Sequence, residues 1–233
     1  MYKKITHNIT EEHFAHPAVM PKHVTGDTHV KTSMGPLPAY VMNDMTMLMR
    51  MDARSAWGKW AWSLFNYAIS LNGNLPGTPQ VKARLDKNAA LLGQFIIPYY
   101  GLTANRLLTD ALIAIGDVGV EYVNAIKEGQ PTEEILAKWP PLIDSLTTVM
   151  NQLNPASWPK QLLSDIMTDV VKTWVDLLKA RAMMDIVADE IAIDHLDKIV
   201  ITGLPDHVRH GFSSLADIFS GGIIAQFPQM FAD

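Results

Sequence analysis

Residues 44–70 read DMTMLMRMDARSAWGKWAWSLFNYAIS, and the fold class turns on this stretch. Trp57, Trp60, Trp62 and Phe65, with Leu64, Ala68 and Ile69, form a broad apolar face at helical spacing. The pattern predicts one long helix from about Asp44 to Ser70. Upstream the chain changes character. Residues 1–43 carry five of the eight histidines, the prolines Pro17, Pro21, Pro36 and Pro38, and no sustained helical period. Proline fixes its own φ and biases the preceding residue toward extended forms. The expectation is an extended N-terminal arm over 1–43 and a helical body over 44–233.

Downstream, the grammar stays helical. Asn72-Gly73-Asn74 and Leu75-Pro76-Gly77 end the first helix, and Thr78-Pro79 opens a second with Thr78 as N-cap. Pro98-Tyr99-Tyr100-Gly101 stops it, and Thr103 caps a third that runs to about Glu128. Gly116 and Gly119 lie inside that third helix. Glycine there costs roughly 1 kcal/mol relative to alanine, which close approach by a neighbouring helix would explain. A fourth helix follows Gly129-Gln130-Pro131-Thr132 and is expected to kink or break after Trp139, at Pro140-Pro141. Ser157 reads as the cap of a long fifth helix with a bend. Its stripe runs Trp158, Leu162, Ile166, Val170 and Trp174 and continues through Met183, Ile186, Val187 and Ile191. A last helix is expected over about 206–226, where the apolar run from Ile218 to Phe227 suits a buried helix end. Long helices joined by short turns pack as antiparallel neighbours. The reading is therefore all-α, an up-and-down bundle of five to six helices.

Composition limits the function. The 233 residues are 48% hydrophobic and 18% charged, with a formal net charge of −5. That balance suits a packed body and opposes general nucleic-acid binding, which needs clustered Lys and Arg. The chain has no cysteine, so disulfides, thiolate catalysis and cysteine metal sites are excluded. The N-terminus lacks the apolar segment of a signal peptide, so secretion by that route is not expected. No apolar run reaches the length of a membrane span.

Chemistry-bearing groups are sparse. His13 and His16 stand three apart, as do His207 and His210, a spacing at which two imidazoles on one helix can share a metal. Pro17 follows the first pair at once, and an exposed or interface arm is the preferred reading. Met42, Met45, Met47, Met49 and Met51 offer an adaptable contact surface or, equally well, fill gaps at a helix start. The aspartates at helical spacing describe a solvated face. No Glu-x-x-His, P-loop, G-x-S-x-G or His-Glu-x-x-His pattern occurs.

Several turn motifs nevertheless occur in a telling order. They are Leu75-Pro76, Ile97-Pro98-Tyr99-Tyr100-Gly101, Leu153-Asn154-Pro155 with Trp158, and Ala216-Asp217 leading through Gly222-Ile223-Ile224-Ala225-Gln226-Phe227-Pro228 to Phe231. Over residues 45–231 this order resembles an uncharacterised group of small bacterial helical-bundle proteins with no established activity. The resemblance implies a bundle whose helices carry histidines able to hold a metal or ligand. At the matching places this chain holds Asp110 and Asp169, and near Trp60 in the first helix. Asp144 and Asp217 match acidic positions.

Two expectations follow. The first is a non-enzymatic structural or interaction protein that takes no cofactor. Its arm, through His13, His16, Met42, Met45 and Met49, docks on partner chains or on copies of itself in a larger assembly such as a particle or shell. The alternative is a metal- or small-ligand-binding bundle using Asp110, Asp144, Asp169 and Asp217 in its interior.

Overall fold

The structure, a computed structural model, describes residues 43–203 and 214–232. His13, His16, Met42, His207 and His210 lie outside these residues. The described part is all-α. Its order is α1 (Asp44–Asn72), α2 (Thr78–Phe95), α3 (Ile97–Glu128), α4 (Glu133–Leu136), α5 (Trp139–Leu153), α6 (Lys160–Ala182), α7 (Ile186–Asp197) and α8 (Leu215–Gln226). A π-helical turn at Lys198–Thr202 extends α7, and a 3-10 turn at Pro228–Met230 follows α8. No strand occurs among the described residues.

The first helix begins where the sequence predicts. Asn43 accepts a hydrogen bond from the Thr46 amide at 2.9 Å, and the Thr46 hydroxyl accepts one from the Asn43 amide at 3.0 Å. This reciprocal cap satisfies two amides at a helix start. Met49, Ala53, Trp57, Trp60, Leu64, Tyr67 and Leu71 are the buried stripe of α1. They alternate at three and four residues, which keeps one face turned to the core.

Several predicted boundaries move, each for a local reason. Thr78 is the first residue of α2 and does not cap it through its side chain. Its hydroxyl instead donates to the Leu75 and Ser70 carbonyls, tying the start of α2 to the end of α1. The third helix starts at Ile97, ahead of Thr103, with Pro98 in its first turn. Proline is tolerated there because its missing N–H would have no helical partner. The break falls on Gly101, whose φ of 78° and ψ of −177° interrupt the helix. The predicted break near Pro140-Pro141 is present but lies before Trp139, between α4 and α5, so that Pro140 sits in the first turn of α5. Ser157 is buried in a turn, where its amide donates to the Asn154 side chain at 3.1 Å. The residue before α6 is Pro159.

The long fifth helix is in fact two. At Met184 the chain takes a left-handed turn (φ 55°). Asp185 then caps α7 by accepting from the Ala188 amide at 3.0 Å. This division raises the number of α-helices of twelve residues or more to seven among the described residues.

Packing is built around indoles. Trp57, Trp60, Trp158 and Trp174 have no exposed surface. Trp139 donates to the Ile115 carbonyl, Trp158 to Ile218 and Trp174 to Leu64, at 3.1, 3.0 and 3.3 Å. Each bond ties a helix or its leading turn to a carbonyl of another helix. α8 is buried on all sides from Leu215 to Ile224, as a helix that is apolar all round requires. Its Phe219 stacks on Trp158 (centroids 5.3 Å, planes 7° apart) and meets Trp57 edge to face at 5.4 Å. No helix among the described residues is long and apolar enough to cross a membrane. Asn43 also reaches the far end of the chain, its side-chain amide donating to the Phe231 carbonyl at 2.6 Å.

Candidate functional site

The four aspartates do not share a site. Asp217 sits in the first turn of α8 and is 2% exposed. Arg54 donates to both its carboxylate oxygens, at 3.2 and 3.0 Å, and the Ser214 hydroxyl adds a third bond at 3.0 Å. Ser214 in turn caps α8 by accepting from the Asp217 amide. Asp169, on α6, faces His195 of α7 at 3.3 Å. Asp144, at the surface of α5, pairs with Lys160 at 2.7 Å. Asp110 is exposed on α3. No group of three or more histidine, aspartate or glutamate side chains among the described residues could hold a metal ion. The interior metal set implied by the resemblance is therefore not assembled: Asp217 and Asp144 each pair with their own cation, Asp169 faces a histidine, and Asp110 is exposed.

The methionine run also divides. Met45, Met47 and Met51 are about half exposed or more, beside exposed Leu48. Met49 is not part of that surface. It is 5% exposed, and the Tyr99 hydroxyl donates to its sulfur at 3.9 Å. Its position on the core stripe with Ala53 and Trp57 decides its burial.

The feature that stands out lies at the α6–α7 turn. Met183, Met184, Ile186, Val187 and Ile191 are 66, 86, 78, 68 and 65% exposed. Scattered apolar side chains are ordinary on a surface, but a contiguous cluster marks a contact site. The tip is held firmly. Arg181 near the end of α6 forms a two-point ion pair with Asp189 of α7. The same guanidinium lies 5.1 Å from the Phe65 ring centroid of α1, a cation–π distance. Together with the Asp185 cap, these contacts fix the angle at which α7 leaves α6.

Between the two helices runs an open groove of about 510 Å³. Thr173, Ala180 and Ala192, all buried, form its floor, with His195 at one end. Met183 and Ile191 stand on its apolar edges, and Asp176, Lys179 and Asp185 supply charge. A second open groove of about 620 Å³ lies between α5 and α6, lined by Trp139, Ile143, Val171 and Val175 with Asp144 and Lys172.

Elsewhere burial and neighbouring charges shift several ionisable groups. Burial, with the nearby charges of Asp117 and Asp86, pushes the Tyr67 hydroxyl up to about 12. Burial likewise raises Tyr100, although a hydrogen bond from Asn154 opposes the shift. For Lys82, burial works to lower the ammonium, but bonds to Asp117 and Asp86 outweigh it and hold it above its ordinary value.

No known family, characterised protein or solved structure matches this chain. The sequence reading missed the surface at residues 183–191. It took those residues as the continuation of a core stripe. The signal available was Asp185, a good helix cap set within an otherwise unbroken pattern.

Proposed function

We propose that this chain is a non-enzymatic structural or interaction protein. Its helical body carries contact surfaces, and its N-terminal segment 1–43 docks on partner chains in a larger assembly such as a particle or shell. The observation that carries the reading is the contiguous apolar tip of Met183, Met184, Ile186, Val187 and Ile191, rigidly supported and left in solvent. Left in solvent, that cluster adds nothing to the fold's own core. Exposed Met45, Met47, Leu48 and Met51 at the start of α1 add a second apolar area next to residue 42. On this reading the chain is a divergent member of the bacterial helical-bundle group it resembles, with Asp110 and Asp169 at two of that group's helix-histidine places and the first-helix place near Trp60.

The test compares the full chain with a form lacking residues 1–40 in the organism that makes it. The full chain is expected in a complex of fixed stoichiometry well above its 25.9 kDa mass. The shortened form is expected to fold and stay out of the complex. A full chain that runs as a free monomer in native extracts would end this reading, and incorporation of the shortened form would end the role of the arm.

A further inference from the structure

We infer that the turn between α6 and α7 is the contact by which two copies of this chain form a closed dimer, apolar tip against apolar tip. The inference rests on the interaction reading above and commits to the partner, a second copy.

Area comes first. Met183, Met184, Ile186, Val187 and Ile191 are each at least 65% exposed, which for residues of this size leaves roughly 600–700 Å² in water, more than the largest apolar patch of an ordinary monomer. A standard interface buries about 800 Å² from each partner. The five side chains supply most of that area, and the residues around them supply the remainder. The turn is also firm. The Arg181–Asp189 ion pair and the Asp185 cap hold it in place, so little ordering accompanies association.

Symmetry then favours the chain's own image. In a two-fold contact each patch meets itself, so a charge at its centre would meet a like charge. Asp185 is the ionisable residue within 183–188. It lines the groove beside Ala188 and accepts from that residue's amide, at the start of α7. Asp189 is committed to Arg181. Glu190, exposed beside Ile191, falls on the rim of a contact centred on residues 183–187, where water and salt screen it. The centre is thus apolar, with no charge pattern to select a different protein. Two of its side chains are methionines, which adapt to the surface they meet. A tip-to-tip contact also closes at two copies. Joining the tip to the exposed methionines of α1 would instead be head-to-tail and would propagate into open polymers.

The test is sedimentation of the purified full chain from about 1 to 100 μM, a range that brackets a micromolar contact. A reversible monomer–dimer equilibrium is expected, ending at twice 25.9 kDa and holding or tightening as salt rises. Val187→Glu is expected to weaken the dimer at least about tenfold with helicity unchanged. Val187 is exposed in the first turn of α7, where an acidic side chain suits the helix. The chain has no cysteine, so a single Val187→Cys gives a second readout that stands whatever Val187→Glu does to the fold. A short bismaleimide is expected to link two copies through it, and not through Leu102→Cys, an exposed control on α3. A chain that stays monomeric throughout, a dimer indifferent to Val187→Glu, one unlinked through Val187→Cys, or one that salt dissociates would each overturn the proposal. Open polymers that Met47→Glu disperses would assign the tip to the α1 patch of the next copy and overturn it too. A purified monomer that still enters a complex in native extracts would end the two-fold contact and leave the interaction reading standing.

Discussion

Gly119 lies directly against the outer carbons of the Trp174 indole: a Cβ built on this glycine would meet the ring carbon Cη2 at 2.1 Å. The ring cannot withdraw, because Trp174 is fully buried and donates to the Leu64 carbonyl. Gly119→Ala would favour the helix by roughly 1 kcal/mol, but the clash costs more. A net loss of about 2 kcal/mol is expected, seen as a fall of roughly 4–8 °C in the melting temperature. Gly116→Ala, whose added carbon would meet only a Leu85 methyl at 3.2 Å, is expected to be close to neutral. Thermal melts of the two variants check the contrast.

The aspartates should rank by burial. Asp217→Ala removes a buried carboxylate that accepts from Arg54 and Ser214, and a loss of about 3 kcal/mol is expected. Asp144→Ala breaks an exposed pair with Lys160 and should change stability by about 0.5 kcal/mol or less. Urea titrations of both variants measure the difference. Equal effects would contradict the burial of Asp217.

Alkaline pH should destabilise the fold through Tyr67. A tyrosine in the unfolded chain ionises near about 10, whereas Tyr67 in the fold holds its proton to about 12. Between these values the folded state binds the proton and the unfolded state does not, so stability falls as pH rises. The slope is about 1.4 kcal/mol per pH unit from this group, and Tyr100, raised in the same direction, adds to it. Below about pH 10 the contribution is complete and flat. Tyr67→Phe is expected to reduce the slope, measured as the urea midpoint from pH 9 to 12.

The four fully buried tryptophans divide by their N–H groups. Those of Trp158 and Trp174 donate to carbonyls, while those of Trp57 and Trp60 find no partner among the described residues. A buried donor without a partner is a cost that phenylalanine removes. Trp57→Phe and Trp60→Phe are therefore expected to be about 1 kcal/mol less damaging than Trp158→Phe and Trp174→Phe. Chemical denaturation of the four variants gives the comparison.

Much of the fold was legible because local chemistry dictates it. The tryptophan stripe places the first helix from about Asp44, and the glycines inside α3 announce a close neighbour, which is Trp174 for Gly119. Pro140-Pro141 announces a break to within a few residues. Other features lack a local signature. Nothing about methionine asks for the left-handed turn at Met184, and apolar periodicity runs straight through it. Periodicity also reports that a face is apolar without reporting whether anything packs on it. Residues 183–191 were read as core for that reason. The Arg54–Asp217 pair spans 163 residues of sequence, a distance over which no pattern in a single chain predicts partnership. The site is therefore a property of assembly, visible only once α6 and α7 are placed side by side.

The bond from Asn43 to the Phe231 carbonyl has a topological consequence. The cap of the first helix and the turn after the last one meet at a single corner, so the helical body is a ring in all but one covalent link. A short linker from residue 232 to residue 43 would close that ring. New ends could then be cut at Gly129–Gln130, where the backbone is exposed and already turns left-handed at Gly129 (φ 65°). Circular permutation succeeds at such places. The order in which the ribosome delivers these helices is, in this sense, separable from the architecture they reach.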